Sequence, residues 1–107
     1  MIDETTFRRV ADVALESLFK ALTRAGDSFD FEADMNNGAL TVEFEEPPAK
    51  FVVSPNAPVR QIWVSAHSKS FKLDWDEAAG TVVLGGVTLL ALMGQHISTQ
   101  LGEEEVL

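Results

Sequence analysis

The sequence contains no cysteine. That absence excludes disulfides, zinc ribbons, thiolate-held clusters and cysteine nucleophiles, and with them the secreted disulfide scaffolds. Basic residues are also scarce, with eight Lys and Arg against seventeen Asp and Glu and a formal net charge of −9. Such a chain repels phosphate backbones, so nucleic acid is not an expected partner. Long apolar runs are missing as well. The longest, residues 87–94, is far too short to span a bilayer. Residues 1–25 lack the basic, apolar and small-residue order of a signal peptide, and they carry Asp3, Glu4, Asp12 and Glu16, which a transit peptide avoids. These features predict a cytoplasmic protein with no membrane association. No phosphate loop, dinucleotide fingerprint, nucleophile elbow or zinc motif is present.

What remains is one domain over residues 1–107, with 46% hydrophobic residues and so enough to build a core without a staple. Phe7, Val10, Ala11, Ala14, Leu15, Leu18 and Leu22 recur at three- and four-residue spacing, the stripe of an amphipathic helix. Thr5 or Thr6 is its expected cap and Gly26 its expected stop. The period then switches to two. Phe29, Phe31, Ala33 and Met35 alternate with Asp30, Glu32 and Asp34, which predicts a half-buried strand. Asn36-Asn37-Gly38 reads as a hairpin turn, because Asn and Gly tolerate positive φ. Further strands are expected over 40–45, 50–54, 61–65, 70–75 and 81–84. Gly85-Gly86 breaks the last, and Thr88 caps a helix over about 89–101. The fold class follows as α+β: a two-layer sandwich of helix, six-stranded mostly antiparallel sheet and helix, with one sheet face covered and the other open.

Asp30, Glu32 and Asp34, two residues apart, share one strand face at about 6.5–7 Å between successive Cα atoms. Burial of their apolar neighbours turns them to water. Thr41, Glu43 and Glu45 fall on the same face across the hairpin. Carboxylates are hard ligands suited to iron, manganese, calcium or magnesium. Spacing this wide makes no closed cage, so any binding is weak, exchangeable and completed by water. A solvated strand face that ligates nothing is the plainer alternative. Asp12 and Glu16 lie one helical turn apart and face the same way. Trp63, with Gln61 and Ser65, falls on the open sheet face if Ile62 and Val64 face the core, and a large exposed aromatic is an interface anchor. Trp75 shares the parity of Phe71 and Leu73 and is assigned to the core. His67, in a loop, and His96, on the last helix, have no ligand-spaced partner in sequence and are assigned ordinary surface or partly buried roles.

Pro58-Val59-Arg60-Gln61-Ile62-Trp63-Val64-Ser65 resembles the signature of the bacterial frataxins, a proline and two variable residues before Gln-Ile-Trp-hydrophobic-Ser. Asn37-Gly38-Ala39-Leu40-Thr41 is similar to that family's hairpin, and the order of elements agrees along almost the whole chain. The resemblance implies an iron-binding regulator or iron chaperone of iron–sulfur cluster assembly, not an enzyme with a buried active site, although frataxins have been credited with ferroxidase-like behaviour. It implies weakly held Fe2+ or Fe3+ on an acidic ridge, to which Asp12, Glu16, Asp27, Asp30, Glu32 and Asp34 correspond. It also implies contacts with a cysteine desulfurase, and the cluster scaffold, through that ridge and through Gln61, Trp63, Ser65 and Glu43; a monomer is the default expectation. Without cysteine the chain holds no cluster through thiolates of its own. Two departures stand out: Ser54-Pro55-Asn56 replaces a basic motif, and Lys20 and Arg24 occupy the helix end where frataxins concentrate carboxylates. Lys20 and Arg24 favour an alternative, a metal-independent interaction module of the same fold. A small carboxylate acid–base enzyme is the third reading, and it requires a concave pocket holding a carboxyl of raised pKa.

Overall fold

The structure, a computed structural model, describes residues 2–29, 31–36, 38–45, 48–67 and 69–102. Helix α1 spans Glu4–Gly26. Strands β1 (Phe31–Asn36), β2 (Ala39–Glu45), β3 (Pro48–Asn56), β4 (Gln61–Ala66), β5 (Lys69–Asp76), β6 (Thr81–Leu84) and β7 (Val87–Thr88) follow, and α2 spans Leu89–Leu101. A single 3-10 turn, Ala57–Val59, joins β3 to β4. All seven strands form one antiparallel meander in chain order, from β1 to β7.

The sandwich is the expected one, with one more strand. Gly85 and Gly86 take φ of 57° and 83° and close a two-residue hairpin, so Leu84 pairs with Val87 and Val83 with Thr88. Two adjacent glycines at positive φ are what such a turn requires. They had read as a break only because β7 is too short to show a period. Gly38, at φ 79°, serves the β1–β2 hairpin, where Asn36 pairs with Ala39. Asn37, assigned to the same turn, lies outside the described residues, as do Pro47 and the acidic tail at 103–105.

The helix ends differ in detail from expectation. Asp3, and neither Thr5 nor Thr6, caps α1: its Oδ1 accepts from the Thr6 backbone N–H at 2.7 Å, and the Thr6 hydroxyl donates to Oδ2 at 3.0 Å. The backbone bond first, and the hydroxyl second, hold the Asp3 carboxyl below its ordinary value. Gly26 is the last helical residue, and Asp27 after it stays right-handed. The glycine serves a close approach instead, because a Cβ there would stand 3.3 Å from the Phe31 carbonyl oxygen. At the other end Thr88 caps α2, its hydroxyl accepting from Ala91 N–H at 3.2 Å, and Gly102 closes the helix in the left-handed region.

Both helices cover the same sheet face. Phe7, Ala11, Leu15, Leu18 and Leu22 of α1, and Leu89, Leu92, Met93 and Ile97 of α2, join the inward residues of the strands in one core. The strand contribution alternates strictly, as in Ile62, Val64 and Ala66 of β4 or Phe51 and Val53 of β3. The intervening residues therefore stand on the open face. Trp75 packs at the core's edge, partly buried, and its indole Nε1 is enclosed without a hydrogen-bond acceptor among the described residues.

Candidate functional site

The open face divides into an acidic margin and an aromatic centre. At the margin, pairing sets Glu32 opposite Glu43 and Asp34 opposite Thr41. Like charges directly opposed on a strand pair repel, and all three carboxylates are exposed. An open groove of about 380 Å³ runs between the C-terminal end of α1 and this hairpin. Its lining joins Asp27, Glu32, Asp34 and Glu43 with Thr23 and Thr41. Gly26 allows the approach that forms it. The alternation around Phe31 thus converts a core requirement into a shared field of carboxylates.

The remaining ridge candidates stand elsewhere. Asp12 lines a separate depression with Arg8, Gly38 and the Pro55–Pro58 segment. Glu16 faces Lys20 across one turn, with Oε1 and Nζ 3.5 Å apart and both side chains largely exposed. Asp30 lies outside the described residues. Lys50 stands opposite Glu43 on the β3 side. Among the described residues no group of three or more His, Asp or Glu side chains converges as a metal cage. The arrangement is a hydrated anionic groove, able to attract cations and basic surfaces without enclosing them.

The aromatic centre is more ordered. Trp63 is 39% exposed on β4. Its Nε1–H donates to Gln61 Oε1 at 2.9 Å, and Gln61 Nε2 donates to Asp74 Oδ1 at 2.9 Å. Lys72, paired with Trp63 across β4–β5, places Nζ 5.0 Å from the ring centroid. The indole is therefore pinned in plane by Gln61 and covered from one side by a cation. Ser65 lies beside it, and with Val52, Ser54, Phe71 and Lys72 it lines a shallow depression of about 220 Å³. Nothing in the spacing along β5 marks Asp74 or Lys72 as part of this site. The register Gln61↔Asp74 and Trp63↔Lys72 reveals their part, and counting across the β4–β5 turn would have found them.

One cluster was not foreseen. His67 takes φ 51° in the β4–β5 turn and meets His96 of α2, with the two Nδ1 atoms 3.1 Å apart. Their sequence separation of 29 residues left no pattern to read.

Among the described residues no helix is long and apolar enough to cross a membrane. The chain matches the profile of the frataxin-like domain over residues 1–103. It is 29% identical over 102 residues to a protein of Cupriavidus metallidurans named iron-sulfur cluster assembly protein CyaY, covering 94% of this chain and 92% of that one. The protein of the same name from Azotobacter vinelandii is 35% identical over 79 residues, 70% of this chain and 71% of the relative. Among solved structures, a frataxin from Psychromonas ingrahamii superposes with a TM-score of 0.80 at 21% identity, over 96% of this chain and 95% of that one, which speaks for the fold. With a family profile spanning nearly every residue, and an open-faced sheet that carries Gln61-Ile62-Trp63 at its centre, the chain belongs to the frataxin family.

Proposed function

We propose that this protein acts in iron–sulfur cluster assembly as a regulatory adaptor that docks a cysteine desulfurase and holds iron weakly at the docking surface. The observation that carries the reading is that one sheet presents exposed Glu32, Asp34 and Glu43 at its β1–β2 margin, in a groove completed by Asp27, and the fixed indole of Trp63 on β4. The groove supplies long-range attraction to a basic partner surface, which raises the encounter rate. Trp63, already immobilised by Gln61, supplies contact area at low entropic cost. Iron is cargo here: hard carboxylate oxygens suit it, water completes its coordination, and the open groove lets it exchange. The cluster itself forms on other proteins' thiolates. Such an adaptor acts in the cytoplasm as a monomer and needs no catalytic residue of its own.

A specific observation supports the metal-independent alternative. Glu16 is engaged by Lys20, and Lys50 stands opposite Glu43, so part of the acid field is offset. One experiment separates the readings. Anaerobic Fe2+ titration of the 15N-labelled protein is expected to broaden amide resonances of residues 27–34 and 41–43. A parallel pull-down is expected to retain the host's cysteine desulfurase and to lose it with Trp63→Ala. Retention of the desulfurase without localised broadening selects the metal-independent module. Loss of both removes the proposal.

A further inference from the structure

The histidine pair, held between the β4–β5 turn and α2 and sharing no residue with the lining of the acidic groove, has a geometry of its own. His67 sits in the two-residue turn between β4 and β5, where Ala66 pairs with Lys69. Its φ of 51° lies in the left-handed region, which a non-glycine residue seldom occupies, although His is among those that tolerate it. This places the imidazole over the C-terminal half of α2. Phe51 meets the His67 ring edge-on at a centroid distance of 5.0 Å, and Phe71 lies 4.9 Å from His96. Two aromatic walls thus flank the pair, while His67 itself remains open to solvent.

One pair of neutral tautomers satisfies both contacts. His67 Nε2 lies 3.1 Å from Gln100 Oε1, an acceptor, so Nε2 carries the hydrogen and the His67 Nδ1 lone pair is free to accept. His96 Nδ1–H then donates to it across 3.1 Å. This is the arrangement of a metal-binding imidazole, one nitrogen turned to the ligand site and the other anchored to an oxygen behind it. The distance also fits. A cation about 2.05 Å from each Nδ1 would see them at roughly 98°, between octahedral and tetrahedral angles.

We propose that His67 and His96 form a two-imidazole chelate for a late first-row divalent cation, Zn2+, Ni2+ or Cu2+, clasped between the β4–β5 turn and α2 and backed by Gln100. The cation replaces the shared hydrogen. His96 moves its proton from Nδ1 to Nε2 through solvent, both Nδ1 lone pairs bind the metal, and the aquo ion gives up two waters to the ligands. With both rings neutral no proton is released. The remaining positions stay with water, so affinity is modest. Lys69, the nearby cation that with His67 disfavours charge on His96, opposes a bound metal as well. Imidazole selects metals of this class where carboxylates select harder ones, so the site is chemically distinct from the acidic groove and does not depend on the role proposed for it.

The test is Zn2+ titration of the full chain at pH 7.5, followed by long-range 1H–15N spectra of the imidazoles. Both Nδ1 resonances are expected to move to metal-bound positions, both rings to carry hydrogen at Nε2, and saturation to come at one equivalent. His67→Ala and His96→Ala are each expected to weaken Zn2+ binding by about tenfold or more, with folding of each variant verified in EDTA by amide spectra. Gln100→Leu is expected to weaken it by about tenfold and Gln100→Glu to tighten it, a response that a purely structural role for residue 100 would not produce. Glu32→Gln/Asp34→Asn/Glu43→Gln leaves the imidazole signals unchanged. Imidazoles that ignore Zn2+, a response confined to one ring, or equal Zn2+ affinity in the His67→Ala/His96→Ala protein would each overturn the proposal.

Discussion

The acidic margin and the aromatic centre of the open sheet face are built from the same alternation but organised in opposite ways. At the margin, Glu32 and Glu43 face each other as exposed like charges that restrain one another only by repulsion. At the centre, Trp63, Gln61 and Asp74 form a chain of directed hydrogen bonds, with Lys72 over the indole. The first is a field that acts at a distance and is weakened by salt. The second is a preorganised contact that acts only on touching. A docking face that combines them separates how fast a partner arrives from how long it stays.

The largest effect that would break this division is at the centre. Trp63→Ala is expected to cost about 2–4 kcal/mol in desulfurase binding, chiefly through a faster off-rate, as measured by surface plasmon resonance. Its effect on thermal stability should be small, because the residue faces solvent. The neighbouring Ile62→Ala supplies the contrast: Ile62 is fully buried, and its truncation is expected to cost about 2–5 kcal/mol of folding stability in urea titration. A Trp63→Ala loss as large as that of Ile62→Ala would mean that the indole holds the fold and not a partner.

Next in size is the margin. Neutralising Asp27, Glu32, Asp34 and Glu43 together, as Asp→Asn and Glu→Gln, is expected to lower the association rate about tenfold at low salt and to flatten its salt dependence, with little change in off-rate. The same variant is expected to lose the localised broadening by Fe2+. An off-rate effect equal to that of Trp63→Ala would show that the two regions act as one contact. Smaller again is Gln61→Leu, which frees the indole and leaves Asp74 without its donor. About 1 kcal/mol of affinity is expected to go, appearing as greater mobility of the Trp63 ring in 15N relaxation of its Nε1.

The two regions also differ in how much of them could be read from the sequence. Alternation around Phe31 fixed which residues face water, because one residue of slippage would put Glu32 and Asp34 in the core. It could not say where α1 ends in space. Asp27 joins Glu32 and Asp34 because Gly26 lets the helix approach the Phe31 carbonyl, whereas Asp12, on the same helix, is carried to a different depression. The exposed position of Trp63 follows from the parity of Ile62 and Val64, but its partners Asp74 and Lys72 depend on a register set by the β4–β5 turn. β7 escaped because two residues show no period, and the α1 cap because Asp3, Thr5 and Thr6 all carry capping side chains within four positions and sequence alone does not choose among them. The His67–His96 contact escaped for the plainest reason: it joins a turn to a helix 29 residues away.

That covered-face pair offers the smallest effect, and a control on both open-face regions, because its titration belongs to neither. Burial first, then the neighbouring His67 and Lys69, hold the His96 pKa below its ordinary value near 6.5. The unfolded chain therefore takes up a proton on His96 more readily than the folded one does. Stability must then rise with pH across the window between the two values. The contribution is fully present above about pH 6.5 and is lost as pH falls through the depressed folded value. With EDTA present to exclude metal, the thermal midpoint of the parent is expected to fall more steeply between pH 7.5 and 5.5 than that of His96→Gln. The difference should be on the order of 1 °C, since the ring is only partly enclosed. Identical slopes in the two proteins would mean that His96 titrates as it does in the unfolded chain, and the acid sensitivity of the fold would then have to come from its carboxylates.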